Sequence, residues 1–415
     1  MTVTSDNFPA CKGFTFFLIF GKLFGIVPYH GLLRKDPRGL HFRSKSPATY
    51  FSVVIIALLG FFNAIALLDV WKSRGSSVFG IIGAASPCVY ISCSMAVYVF
   101  FLKKYELFFK AVNGWRAVNT NLHFVINNAK ASRDCYLTVF GYLLGFIIVG
   151  VLFDAKLVDL RTNENGMFKE NLELNVSHLE IYYHRNFEFG AHLLPYHPVS
   201  AVLITTFLKI CWVAHYYLDI FLIIIFRPLE FQLKTLMQTA RDHRLIFDNG
   251  SYFHTTKDLE RKWWGKIAED YEALAELVEQ ISVLVSPLVF LAFLVDLFLI
   301  SIEINFWLSA NNNAGLLSTA YSVVCVMYFV ARMMSISVKA GNIHSYGKII
   351  GRLILQHCPI TLLAYLTPRI ERIMELDKIS LNGLGFFTIT KSFALRVINV
   401  LLTVEVFLLQ GKIIL

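Results

Sequence analysis

Charge is scarce in this sequence. Asp, Glu, Lys and Arg make up 16% of its 415 residues and hydrophobic residues 56%, with a mean hydropathy of +0.57. Soluble domains carry about a quarter charged residues. A chain this apolar cannot wrap one soluble core, so the bilayer is its solvent. Catalytic signatures are absent as well: no Gly-rich phosphate loop, no Gly-x-Ser-x-Gly elbow and no His-Glu-x-x-His helix. Neither an enzymatic activity nor a cofactor is expected. Cysteine is sparse, at Cys11, Cys88, Cys93, Cys135, Cys211, Cys325 and Cys358. None falls in a segment assigned to the outer side, which argues against a disulfide-stapled ectodomain. Cys88 and Cys93 share one apolar run and read as small packing residues, since a zinc site needs four clustered donors. The irregular spacing of His178, His184, His192 and His197 gives no metal site either. The apolar stretch 14–27 lacks a basic leader and a cleavage site and is interrupted by Lys22, so it reads as a packed or interfacial helix rather than a signal peptide. No internal repeat is visible.

What is present is a set of long apolar runs. A spanning helix needs about 20 mostly apolar residues, and seven stretches qualify, at about 49–70, 78–102, 136–153, 200–226, 281–302, 315–338 and 392–415. The net charge of +9 would suggest nucleic acid in a soluble protein; here it bears on orientation. Segments on one side of the seven spans hold 28 Lys and Arg, those on the other side seven, and three lie in or at the ends of spans. By the positive-inside rule the N-terminus is cytoplasmic and the C-terminus outside. The expected fold is thus all-α: a polytopic membrane protein with seven transmembrane helices and a cytoplasmic helical anchor domain. Its parts are a cytoplasmic arm 1–48, helices one to four in 49–226 with an outer loop 154–196, a cytoplasmic helical extension 227–280, helices five and six in 281–338, an anchor segment 339–391, and helix seven in 392–415. The outer loop is net acidic and carries a glycosylation sequon at Asn175; a second sequon at Asn249 falls inside and is expected to go unused. This topology is inverted relative to G-protein-coupled receptors. The extension 227–280 places apolar residues at three- and four-residue spacing among charges, so helices four and five are expected to run well past the membrane.

Polar groups inside apolar runs are costly and need a reason. His215 and Asp219 share one face of helix four, and Asp296 and Glu303 one face of helix five, with Trp307 a turn further out. A structural hydrogen bond between helices is one reading of Asp219 and Asp296; the other, taken here for His215, Asp219 and Asp296, is that they bind a ligand together with Glu303 and Trp307. For Glu303 with Trp307 a ligand site is favoured, because a sugar presents hydroxyls to a carboxylate and a CH-rich face to an aromatic ring. In the last span Asn399, Thr403, Phe407 and Gln410 fall on one stripe, which suits the wall of a wet pore as well as an interhelical seam. Glu405 lies off that stripe, but four copies of it near a pore would favour cations. The residues leave open a ligand-gated cation channel, a secondary transporter of sugars or amines, and a non-conducting inverted seven-helix receptor. Transporters usually show repeats and helix pairs broken by Gly or Pro, and neither is visible here.

The same last span carries a resemblance. Insect gustatory receptors end in Thr-Tyr, five mostly apolar residues, then Gln-Phe. Residues 403–411 match in Thr403, Gln410 and the spacing, with Val404 and Gly411 where the family has Tyr and Phe. Glu405 is similar to the sugar-receptor branch. So are Leu381-Asn382-Gly383 with Phe386-Phe387 and Thr390-Lys391, the stretch Phe24-Gly25-Ile26-Val27-Pro28, the later Leu40-His41-Phe42-Arg43 and Tyr50, and Asp219-Ile220-Phe221. The resemblance implies a homotetrameric, ligand-gated cation channel in the plasma membrane of sensory-neuron dendrites, acting alone or with a related co-receptor. It implies that a small-molecule sugar binds in an outer pocket of the helix bundle and that the last helix lines the pore. It places Gln410 at the gate. The gate Phe does not carry over to Gly411, and Phe407, one turn inward, is the expected substitute.

Overall fold

The computed structural model describes residues 12–31, 41–75, 78–124, 128–163, 178–248, 257–309, 316–393, 395–400, 402–403 and 406. Among the described residues, eleven α-helices precede the last helical segment: α1 (Lys12–Leu23), α2 (Pro47–Lys72), α3 (Val78–Lys103), α4 (Tyr105–Asn121), α5 (Asn128–Asn163), α6 (His178–Asn186), α7 (Glu188–Ala191), α8 (Pro198–Asp248), α9 (Lys257–Ser309), α10 (Leu316–His357) and α11 (Ile360–Glu375). Two short hairpins, β1 (Tyr29–His30) with β2 (His41–Phe42) and β3 (Asn382–Gly383) with β4 (Phe387–Thr388), and a 3-10 turn at Ser73–Gly75 lie between them. Six helices among the described residues, α2, α3, α5, α8, α9 and α10, are long and apolar enough to cross a membrane. Residues 395–400 and 402–403 are helical; the rest of the expected seventh span lies outside the described residues.

Local chemistry explains the starts and faces of these helices. Ser46 caps α2, its Oγ accepting the Thr49 amide at 3.2 Å, and Pro47 opens the first turn, where its missing N–H costs nothing. One face of α2 buries Ile55, Leu59, Phe62 and Ala66, while Tyr50, Val54, Phe61 and Leu68 stay exposed. An apolar exposed face is what lipid demands, since the helix satisfies its own backbone and needs no water. The stretch 14–27 is a packed helix and turn: Phe17 stacks on Tyr217 at 4.2 Å, and Tyr98 donates to the Phe24 carbonyl at 2.7 Å. Helix α4 lies in the connection between the second and third expected spans, and buries Phe108, Val112 and Trp115.

The three longest helices organise the molecule. With a rise of about 1.5 Å per residue, the 51 residues of α8 and 53 of α9 each far exceed a hydrocarbon core of about 30 Å. Their ends pack with α10 and α11 into a helical bundle around Trp264, Tyr271, Leu274 and Ile354. Polar pairs fasten its rim: Arg369 to Glu272, Lys378 to Glu279 at 2.9 Å and Lys348 to Asp377 at 3.1 Å. The β3–β4 hairpin then anchors the start of the last helix. Its Asn382 and Leu384 bond Ser286 of α9, at 2.7 and 2.6 Å, while Phe387 stacks on Phe393 and Phe293 meets both rings edge-on. The resemblance block 381–391 is therefore the clamp between α9 and the last helix.

Candidate ligand cavity and the buried arginine beneath it

The bundle interior holds an ion cluster. Arg332 of α10, Asp219 and His215 of α8 and Asp296 of α9 are each 0–1% exposed. Arg332 Nη2 donates to Asp296 Oδ1 at 2.6 Å and lies 2.6 Å from Asp219 Oδ2. The Asp219 approach is off the hydrogen-bond line, so it is an ion pair alone. Arg332 Nη2 also lies 3.0 Å from His215 Nε2. An arginine only donates, so Nε2 accepts, the imidazole is neutral, and its Nδ1–H faces Cys93 Sγ at 3.8 Å. The cluster thus carries two carboxylates against one guanidinium. Donor atoms of His215, Asp219 and Asp296 lie within 4.8 Å of one another, a spacing a cation could use. Arg332 already lies among them and supplies the positive charge.

Toward the other end of the same helices is a cavity of about 230 Å³. Its walls are largely aromatic: Tyr90 of α3, Phe153 of α5, Trp212 and Tyr216 of α8, Tyr321 and Phe329 of α10. Phe153 packs on Trp212 at 4.5 Å and on Tyr321 at 5.6 Å. Ser86 and the tyrosine hydroxyls add polar groups to the wall, and two further side chains offer a carboxylate and an amide. Glu303 of α9 is an acceptor, held by the Ser322 hydroxyl at 3.2 Å and within the field of Lys156. Asn186 of α6 presents a buried Nδ2 with no hydrogen-bond partner among the described residues. A buried unpaired donor is costly, by about 1–3 kcal/mol, unless a ligand accepts from it. Tyr216 and Phe329 are shared: they line the cavity, and the Arg332 guanidinium lies 4.5 and 4.9 Å from their rings. Two rings therefore separate the cavity from the ion cluster.

Of the residues singled out from sequence, Glu303 lines the cavity, whereas His215, Asp219 and Asp296 sit below it on Arg332. The Trp307 side chain lies outside the described ones. Asn399 and Thr403 are exposed on the last helix, with the Thr403 hydroxyl bonding the Asn399 carbonyl at 2.8 Å. Glu405, Phe407, Gln410 and Asn175 lie outside the described residues. Arg332 needs a correction. The sequence count assigned it to the inner end of helix six, yet it is buried in the bundle, which lowers the inner-side total from 28 to 27 and leaves the asymmetry intact. The signal was available: Arg332 is six residues inside the assigned span, and a cation there needs a buried anion. Asn186 carried no such signal, because it sits in a polar connecting segment.

Comparison with known proteins agrees with this architecture. Residues 10–412 match the trehalose receptor family. The gustatory receptor for sugar taste 64a of Drosophila melanogaster is 20% identical over 405 residues, covering 95% of this chain and 82% of that protein. The structure of the insect olfactory receptor OR5 from Machilis hrabei superposes with a TM-score of 0.61 at 14% identity, over 96% of this chain and 97% of that one. Its complex with eugenol gives the same score over 95% of this chain. At such identity the olfactory receptor shows the fold alone, a multi-pass helical membrane fold, and none of these relatives is an enzyme. Matched along almost its whole length, the chain belongs to the trehalose receptor family, on the sugar branch of the insect gustatory receptors.

Proposed function

We propose that this chain is a sugar receptor subunit whose ligand lies in the cavity above Tyr216 and Phe329 and whose occupancy opens a weakly selective cation pore. The observation that carries the reading is the cavity's composition. Aromatic rings suit the CH-rich faces of a pyranose, and Glu303 and Asn186 offer one acceptor and one donor to its hydroxyls. The Lys and Arg asymmetry orients the chain with its N-terminus and long helical extensions in the cytoplasm, which puts the cavity on the outer side. The relative named for sugar taste favours the same ligand class, and the eugenol complex is a small-molecule complex of a receptor with this fold. Four copies would assemble around the last helices at the plasma membrane, with Asn399, Thr403, Phe407 and Gln410 on the pore side, Glu405 favouring cations, and a related co-receptor as an additional partner.

In this mechanism the sugar stabilises one arrangement of α8, α9 and α10 over another, and it shifts the equilibrium only by its differential affinity for the two. Movement of α9 is passed to the last helix through the Phe293, Phe387 and Phe393 contacts. The test is expression of this chain alone in a non-neuronal cell with a panel of mono- and disaccharides. Sugar-evoked cation current is expected. Glu303→Gln should raise the half-maximal concentration about tenfold or more, since hydrogen bonds to a charged group are worth about 1.5–3 kcal/mol. Asn186→Ala should raise it by about fivefold while leaving surface expression unchanged. Saturable sugar uptake without current would sink the channel in favour of a transporter.

A further inference from the structure

A second cavity, of about 290 Å³, lies at the other end of the membrane helices and has no part in the sugar reading. Its walls include Asp134 of α5 and Arg227, Glu230, Phe231 and Lys234 of α8. Some of these charges satisfy one another. Arg227 stands 3.5 Å from Asp134 and 3.9 Å from Glu230, and Glu230 also accepts the Asn342 amide at 2.7 Å. Lys234 is exposed and makes no ion pair among the described residues. Lys339 of α10 is half-buried in the field of Arg227, Glu230 and Asp134, with no acid at ion-pair distance among the described residues. The wall itself is balanced, Arg227 and Lys234 against Asp134 and Glu230, with both carboxylates already engaged by Arg227; Lys339 beside the wall adds a third positive charge, so the local field favours an anion.

The surroundings say where that anion comes from. Leu137 and Phe140 follow Asp134 on α5, and Val338 precedes Lys339 on α10; all three are apolar and exposed. The cavity therefore sits where the lipid-facing belt gives way to charge. With the N-terminus inside, this is the inner leaflet. Basic pockets between transmembrane helices on that side suit anionic lipid headgroups, and the apolar shelf offers a path for acyl chains that a free anion would not use. We propose that this cavity holds the phosphate of an anionic phospholipid headgroup from the inner leaflet. Lys234 on the wall is its partner, Lys339 adds positive charge from beside the wall, and Arg227 neutralises the acidic residues. The inference rests on the orientation of the chain and not on the sugar site.

The test uses the purified full-length receptor in detergent. The thermal unfolding midpoint is followed while three probes are titrated: phosphatidylcholine micelles containing phosphatidylinositol 4-phosphate, phosphatidylcholine alone, and inorganic phosphate. A saturable rise with the anionic lipid is expected, with little effect of the other two. Lys234→Gln and Lys339→Gln should each weaken the apparent lipid affinity by about fivefold. Lys262→Gln, an exposed α9 lysine remote from the cavity wall, should leave it unchanged. Lys234 is exposed, so its variant tests the site without burdening the fold, and its elution profile checks this. An equal response to inorganic phosphate would overturn the lipid assignment in favour of a free-anion site. Equal weakening by Lys262→Gln, or none by Lys234→Gln, would overturn the site itself.

Discussion

Replacing Arg332 by Met removes the one cation from a buried set of two carboxylates. Nη2 lies 2.6 Å from both Asp219 and Asp296, and all three side chains are 0–1% exposed. At an effective dielectric of about 20, each attraction at ion-pair distance is on the order of 4 kcal/mol, and the carboxylate–carboxylate repulsion offsets about one of them. The variant loses both attractions and keeps the repulsion. Breaking a buried pair from one side costs about 3–5 kcal/mol, a large fraction of the stability of an ordinary domain. Asp296→Asn and Asp219→Asn behave differently. Each leaves one carboxylate with one guanidinium, so the repulsion disappears together with one attraction. Asp219→Asn should be the milder, because the Asp219 contact lacks hydrogen-bond geometry. The expected order of damage is Arg332→Met far above Asp296→Asn, and Asp296→Asn above Asp219→Asn. Purified variants would be heated in detergent and the folded fraction read by fluorescence-detected size exclusion. An Arg332→Met midpoint equal to wild type, or one above that of Asp296→Asn, would refute the charge argument.

Four further outcomes are expected. A Cβ at Gly341 would lie 2.9 Å from the Lys391 backbone nitrogen and 3.0 Å from the Thr390 carbonyl carbon. Gly341→Ala should therefore push the segment leading into the last helix off α10, costing about 1–3 kcal/mol and altering the current in cells. Gln410→Ala should change basal leak or gating, and unchanged leak and gating would count against the pore assignment. Asp377 has φ 46° in the left-handed region, so Asp377→Gly should melt above Asp377→Ala by about 1 kcal/mol. Partial burial of the Asp377 carboxyl is outweighed by Lys348 at 3.1 Å and His344 at 3.4 Å, which hold its pKa below the ordinary aspartate range. Its contribution is thus present above that range and lost as pH falls through the depressed value. A melt series in mild acid should show wild type losing its margin over Asp377→Asn below about pH 4.

Membrane residence, six of the spans and the excess of Lys and Arg on one side of them were legible in the sequence because lipid imposes a one-dimensional rule. A run of about 20 apolar residues must close its own backbone hydrogen bonds, and Lys and Arg gather at one set of ends. The helical wheel also placed His215 beside Asp219 and Asp296 in line with Glu303. It could not say which helix each face meets. Asp296 and Glu303 share a stripe of α9, yet about 10 Å of helical rise separates a carboxylate locked on Arg332 from one open to the cavity. The partners that decide their roles come from elsewhere in the chain: Arg332 from α10, Asn186 from a polar connection, Tyr216 and Phe329 from two different helices. Periodicity fixes direction within a helix, but depth and neighbour follow from packing between helices, which only the tertiary structure decides.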